Sequence, residues 1–194
     1  MSRVATLSRT TAETSIECSL DIDGHGRCDI QTGIGFLDHL LTALATHARF
    51  NLALRCKGDL EVDDHHSAED CAIVLGQVFD AALADRQGIA RFASAFAPLD
   101  ESLARVVVDL CTRPSATIDL GLKRERLGEL SCENIPHVLR TFAMSARFTL
   151  HVDVLRGDND HHRAEAAFKA LALAIRQAVV VSVAAGPNST KGVL

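Results

Sequence analysis

The sequence predicts an α+β fold built from two similar halves, each running β-β-α-β-α. Three observations lead there. The pentapeptide His-His-x-x-Glu occurs twice, as His65-His66-Ser67-Ala68-Glu69 and His161-His162-Arg163-Ala164-Glu165. Each copy has a lone histidine upstream at similar distance, His39 being 26 residues before His65 and His137 24 before His161. Nine residues after each lone histidine, Ala-Arg-Phe recurs at Ala48-Arg49-Phe50 and Ala146-Arg147-Phe148. Motifs repeating in one order mark two units that pack a shared core. The expected units are residues 1–95 and 96–194, approximately, within a single domain.

The elements follow from periodicity. In residues 14–31, Ile16, Cys18, Leu20 and Ile22 alternate with polar residues and Asp23-Gly24-His25-Gly26 forms a turn. Cys28 and Ile30 then resume the alternation, which reads as a hairpin. Leu40, Leu41, Leu44 and Ala48 are at helical spacing, predicting a helix over 38–49. Phe50, Leu52, Leu54 and Cys56 alternate as a strand, and 60–63 reads as a short extended piece. Ala68, Ala72, Leu75, Phe79 and Leu83 carry a second helix after His65. The second half repeats the order. Strands 104–110 and 116–120 are expected to pair around Thr112-Arg113-Pro114, followed by a helix over 135–146, a strand over 148–155 and a long helix over 161–184.

Composition narrows the function. Net charge is −5 with no basic stripe, which argues against a nucleic-acid partner. No apolar run reaches 18 residues, so no membrane span is expected. The first residues lack the apolar stretch of a secretory signal. Six scattered cysteines without Cys-x-x-Cys fit reduced thiols in a cytoplasm.

The histidines carry the chemistry. His65 and Glu69 are i, i+4 neighbours on a helix, and His66 and Glu69 are i, i+3. Adjacent His65 and His66 diverge by about 100° around the axis, given 3.6 residues per turn. They are therefore poorly placed to bind one metal together. If each histidine of a pair serves a different metal, each of two metals takes one histidine from each motif. Glu69 and Glu165 add one carboxylate apiece, and His39 and His137 one imidazole apiece. The expected set is three His and one Glu per metal. Mixed nitrogen and oxygen ligation suits Mn, Fe or Zn, and positions left open mark a catalytic site. A single His-His-x-x-Glu is commonly just a solvated helix start; two copies with matched upstream histidines argue for ligands. Asp64 and Asp160, each just before a His-His pair, are expected to cap helices, with acceptance of a histidine ring N–H as the alternative. His47 and His151 are expected in packing or supporting roles, and His25 in a solvent-facing turn.

Among the cations, Arg91, Arg113, Lys169 and Lys191 stand out. Lys191 closes Gly186-Pro187-Asn188-Ser189-Thr190-Lys191-Gly192, a small-residue loop suited to a phosphate monoester. It lacks the residue order of a Walker A loop.

With these residues in view, the chain resembles the imidazoleglycerol-phosphate dehydratases of histidine biosynthesis. The resemblance is carried by Arg9-Thr-Thr-Ala-Glu13-Thr14, Asp23-Gly-His-Gly26, Thr32-Gly-Ile-Gly-Phe-Leu-Asp-His39, Asp63-Asp-His-His-Ser-Ala-Glu-Asp70, Gly88-Ile-Ala-Arg-Phe92, Thr149-Leu-His151, Gly157-Asp-Asn-Asp-His-His-Arg-Ala-Glu165, Phe168-Lys-Ala170 and Ser189-Thr-Lys-Gly192. It implies helices packed between two mixed sheets, similar to the second domain of ribosomal protein S5. It also implies two Mn(II) per active site, with Zn or Fe as substitutes, and a cytoplasmic homo-oligomer of 24 subunits whose sites are shared between neighbours. Two departures are local. The family's usual Ser-Gly-Arg-Pro reads Cys111-Thr112-Arg113-Pro114, and Asn188 stands between Pro187 and Ser189. No phosphatase domain accompanies the match, so a monofunctional chain is expected.

The resemblance implies dehydration of imidazole glycerol phosphate to imidazole acetol phosphate, through an imidazolate held by two metals. Loss of the neighbouring hydroxyl then gives a diazafulvene-like species, and loss of the next proton an enol that ketonises. Glu13 resembles the family's mobile active-site carboxylate and is the expected acid/base. Glu69 and Glu165 are expected to shuttle protons as well as bind metal. Arg91, Arg113, Ser189 and Lys191 are expected to hold the substrate phosphate, with Lys169 assisting. Two rival classes are a di-metal phosphate-ester hydrolase and a metal-assembled scaffold. Only a hydrolase would release inorganic phosphate, and a scaffold would turn over nothing.

Overall fold

A computed structural model describes residues 3–181. In chain order its elements are β1 (Val4–Thr10), β2 (Thr14–Asp21), β3 (Cys28–Gln31), α1 (Gly35–Ala48), β4 (Asn51–Gly58) and α2 (His65–Leu83). The second half holds β5 (Phe92–Leu99), β6 (Ser102–Asp109), β7 (Ser115–Asp119), the two-residue strands β8 (Arg126–Leu127) and β9 (Leu130–Ser131), α3 (Asn134–Ser145), β10 (Thr149–Arg156) and α4 (Asp160–Ala178). The β-β-α-β-α order is present in each half, preceded by one further strand, β1 or β5, and in the second half the small β8–β9 ribbon is inserted before α3.

Two four-stranded sheets result, ordered β1-β2-β4-β3 and β5-β6-β10-β7. Each is mixed: β2 and β6 pair antiparallel with their neighbours, while β3 runs parallel to β4 and β7 parallel to β10. This corrects two readings. Residues 14–31 are not a hairpin, because β4 lies between β2 and β3. Strands β6 and β7 likewise do not pair, because β10 lies between them. Alternation identifies strands but not partners, and the intervening strand arrives later in the chain. Residues 60–62 form a turn rather than an extended piece.

The helices lie between the sheets. α2 packs on β1, β2 and β4, and α1 on β3 and β4; α4 packs on β5, β6 and β10, and α3 on β7 and β10. Across the middle, α1 meets α4 and α2 meets α3, so each helix pair takes one member from each half. Alternation dictates the sheet faces: Ile16, Cys18 and Leu20 of β2 and Ala104, Val106 and Val108 of β6 are buried, while Glu17 on β2 and Arg105 and Val107 on β6 are turned out. Gly76 lets α2 and α3 approach closely, since a Cβ there would lie 2.6 Å from the Ser145 side chain and 2.8 Å from the Phe142 carbonyl oxygen.

The recurring Ala-Arg-Phe has a structural cause. Arg49 and Arg147 both take the left-handed conformation, at φ 62° and 53°. Phe50 then donates its N–H to the Ala45 carbonyl and Phe148 to that of Ala143, closing α1 and α3 alike. The buried phenylalanines anchor the strands that follow.

Candidate metal centres

The two helix pairs each gather a cluster of ligand-type side chains. His39 on α1 meets His161 and Glu165 on α4; His137 on α3 meets His65 and Glu69 on α2. Within each cluster one potential ligand atom per residue lies within 4.8 Å of the others. Glu165 Oε2 is 2.9 Å from His39 Nε2 and 3.1 Å from His161 Nε2, and Glu69 Oε1 is 2.8 Å from His137 Nε2. Two imidazoles and a carboxylate converging this closely are a donor set that Mn, Fe or Zn accepts. Lys169 sits 2.7 Å from Glu165 Oε1. Burial alone would raise the Glu165 carboxyl, but the hydrogen bonds and charges of Lys169 and His39 prevail and bring it down to about 2.

The neighbours of these residues fix their orientation. Asn134 Oδ1 lies 2.9 Å from His65 Nδ1, while its Nδ2 donates to Asp64 Oδ2 at 2.9 Å. That second bond settles which end of the amide faces the ring: Oδ1 accepts the Nδ1 proton, which leaves the lone pair of the neutral ring at Nε2 of His65. In the other cluster the Phe36 ring packs edge-on against His161, with centroids 5.0 Å apart.

The remaining motif histidines point elsewhere. His66 Nδ1 is 3.0 Å from Asp59 Oδ2, and His162 Nδ1 is 2.7 Å from Glu101 Oε2. Each carboxylate raises the pKa of its histidine. Glu101 is itself held well below the ordinary carboxylate range, chiefly by His162 and then by the Asn159 amide. The Nε2 atoms face the β1–β2 and β5–β6 turns: Glu13 Oε1 lies 3.8 Å from that of His66, and Asp100 Oδ2 3.9 Å from that of His162. Glu13 is positioned because Asp70 on α2 accepts from Thr14 Oγ1 at 2.5 Å and pairs with Arg9 at 2.6 Å, fastening the β1–β2 turn to α2.

Asp64 and Asp160 do not cap their helices. Asp63 Oδ1 accepts from the His65 amide and Asn159 Oδ1 from the His161 amide. Buried Asp64 accepts instead from the Ser131 amide and hydroxyl, and buried Asp160 from the amides of Lys123 and Arg124. His47 and His151 are exposed rather than packed, and His25 is exposed as expected.

The phosphate-binding candidates divide. Arg91 donates from Nε and Nη2 to Asp109 at 2.6 and 3.1 Å, and Arg113, largely exposed, reaches the same carboxylate at 4.0 Å. Thr112, where the family's usual motif has glycine, takes φ 59°, a conformation in which glycine is unstrained. Lys169 lies beside Glu165 instead. Ser189 and Lys191 fall outside the described residues. Sequence reasoning missed Asp59, Glu101 and Asn134. Acids in turns and an asparagine opening a helix are ordinary features, with no signal until the fold brings them to a histidine.

The comparisons with known proteins converge. The family model described as imidazoleglycerol-phosphate dehydratase matches residues 32–175. A protein of that description from Phytophthora nicotianae is 59% identical over 99% of this chain, which spans 42% of that longer protein. Another from Trichoderma harzianum is 58% identical over 90% of this chain and 95% of its own length. The crystal structure of imidazoleglycerol-phosphate dehydratase from Staphylococcus aureus superposes with a TM-score of 0.84 at 35% identity, covering 92% of this chain and 99% of that one.

Proposed function

The chain belongs to the imidazoleglycerol-phosphate dehydratase family, and from that premise we infer how its own residues carry out the family's reaction. It is a hydro-lyase of histidine biosynthesis, dehydrating imidazole glycerol phosphate in a metal-dependent reaction. The observation that carries the residue assignment is the pair of His/His/Glu clusters. We propose that they hold two Mn(II), with Zn or Fe as substitutes: His39, His161 and Glu165 bind one, and His65, Glu69 and His137 the other. His66 and His162 complete clusters on neighbouring copies, in an assembly of 24 subunits with sites at their interfaces. Their Nε2 atoms are turned toward the β1–β2 and β5–β6 turns, and each cluster gathers three donors among the described residues of one chain, which supports this arrangement. The two repeats, about 1–95 and 96–194, then act as one catalytic domain.

Bound at these clusters, the metals supply Lewis-acid stabilisation of the charge that develops on the substrate's imidazole. The protein's own groups handle protons and the phosphate. Glu13 is the acid/base that moves protons at the glycerol carbons, where a C–H proton and a hydroxyl leave as water and the resulting enol becomes the ketone. Glu69 and Glu165 shuttle protons from within the clusters. Arg91, Arg113, Ser189 and Lys191 hold the phosphate of the substrate, and Lys169 assists beside Glu165. A cytoplasmic location is supported by six free cysteines. No helix among the described residues is long and apolar enough to cross a membrane.

The test is turnover of imidazole glycerol phosphate by chelator-stripped protein, with and without Mn(II), following ketone and free phosphate together. Mn-dependent ketone without phosphate release is expected. Phosphate release would favour a hydrolase. No product from folded, metal-loaded protein would leave a metal-assembled scaffold.

A further inference from the structure

We propose that Asp59 and Glu101 are positioning residues for the metal chemistry. Each accepts the Nδ1 proton of one outward histidine, His66 or His162, so that the ring offers Nε2 as ligand. This inference rests on the ligand roles proposed above for those two histidines.

The contacts are direct, 3.0 Å from His66 Nδ1 to Asp59 Oδ2 and 2.7 Å from His162 Nδ1 to Glu101 Oε2. An ionised carboxylate only accepts hydrogen bonds, so the neutral ring must carry its proton at Nδ1 and its lone pair at Nε2.

The two carboxylates come from places that the repeat does not relate. Asp59 is the first residue after β4; the residue in the same place after β10 is Gly157. No side chain fits there. A Cβ on Gly157 would lie 2.1 Å from Ser102 Oγ and 2.9 Å from Ser102 Cβ. The second half supplies its carboxylate from the residue beside that obstructing serine, Glu101 in the β5–β6 turn. Duplication alone would leave corresponding acids in corresponding places. Here the same contact is rebuilt from different elements, which identifies the contact as the feature retained.

Folding has little use for Asp59 in this position. Its Oδ1 is buried and accepts no hydrogen bond from a described residue, an arrangement that costs stability. Glu101 has a second use, since its Oε1 accepts from the amides of Asp158 and Asn159 just before α4.

That second use makes Glu101→Gln informative. The glutamine Oε1 can keep both amide bonds, which turns its NH2 group toward His162 Nδ1. The ring must then accept at Nδ1 and carry its proton on Nε2, the ligand atom. Mn(II) titration of the chelator-stripped full chain, read from the electron paramagnetic resonance signal of free Mn(II), should show affinity weakened about 10–100-fold, with the Tm of the stripped protein unchanged. Asp59→Ala should weaken Mn(II) binding similarly. Asp59→Asn, able to turn its own carbonyl to His66, should restore most of it. Wild-type affinity in both Glu101→Gln and Asp59→Ala would overturn the proposal. Should Glu101→Gln fail to fold, the Asp59→Ala and Asp59→Asn pair decides it alone. Wild-type protein that binds Mn(II) yet makes no ketone would sink the dehydratase reading, while the affinity comparison would still stand.

Discussion

His39 Nε2 and Glu165 Oε2 lie 2.9 Å apart although 126 residues of chain separate them. The contact joins α1 of one half to α4 of the other. His137 and Glu69 repeat it at 2.8 Å between α3 and α2. Each cluster therefore depends on a helix–helix contact between the halves.

Removing one ligand should empty one cluster and spare the other. Substitution of outer partners of metal ligands already costs about 10–100-fold in affinity, so loss of a ligand itself should exceed roughly 100-fold. His39→Ala, tested by metal analysis after dialysis, should retain about half the wild-type metal and lose turnover. Full metal content would remove His39 from the ligand set.

Glu13 lies 3.8 Å from His66 Nε2 and belongs to neither cluster. Glu13→Gln should therefore leave metal content intact while lowering kcat by about 10²–10⁴-fold, the usual contribution of a general acid or base. Unchanged turnover would exclude it from the mechanism.

Arg86 is almost fully buried and ties two elements together. Its guanidinium pairs with Asp80 and donates to the carbonyls of Ala146 and Arg147 at 2.7 and 2.9 Å. Arg86→Ala would leave those carbonyls unpaired in the interior. A loss of about 3–5 kcal/mol is expected from breaking a buried pair on one side, read by urea denaturation of the metal-stripped chain.

Asp64 should contribute to acid sensitivity. Burial works to raise its carboxyl, but hydrogen bonds from the Ser131 amide, the Asn134 side chain and the Ser131 hydroxyl prevail and hold it below the ordinary value. With the folded pKa below the unfolded one, its stabilisation is present above about pH 4 and is lost as pH falls through the folded value. In metal-stripped protein, urea midpoints should fall below that pH. Asp64→Asn should flatten this dependence and cost about 1–3 kcal/mol at neutral pH through its impaired hydrogen bonds. An identical pH slope in the variant would contradict the assignment.

Much of this was legible in the sequence, for reasons that can be named. The divergence of His65 from His66 follows from helix geometry alone, and the structure separates them into a cluster and an outward position. Repeated letters located both halves because the same left-handed turn at Arg49 and Arg147 must end both helices. Strand partners were not legible, because the alternation of Cys28 and Ile30 says nothing about β4 arriving between β2 and β3. Nor was the capping by Asp63 and Asn159, since the adjacent Asp64 and Asp160 have equally suitable side chains and only the fold shows what they reach. Asp59 and Glu101 were invisible because they are not equivalent in the repeat, and symmetry was the signal that exposed the candidate ligands.

The crossing of the helix pairs also bears on ancestry. A chain of half this length, carrying one lone histidine and one His-His-x-x-Glu, could not close a cluster by itself. It could do so only by embracing a second copy, which would form both clusters at once. Joining such copies end to end would make that partnership permanent and leave each half free to differ in its supports, as Asp59 and Glu101 do.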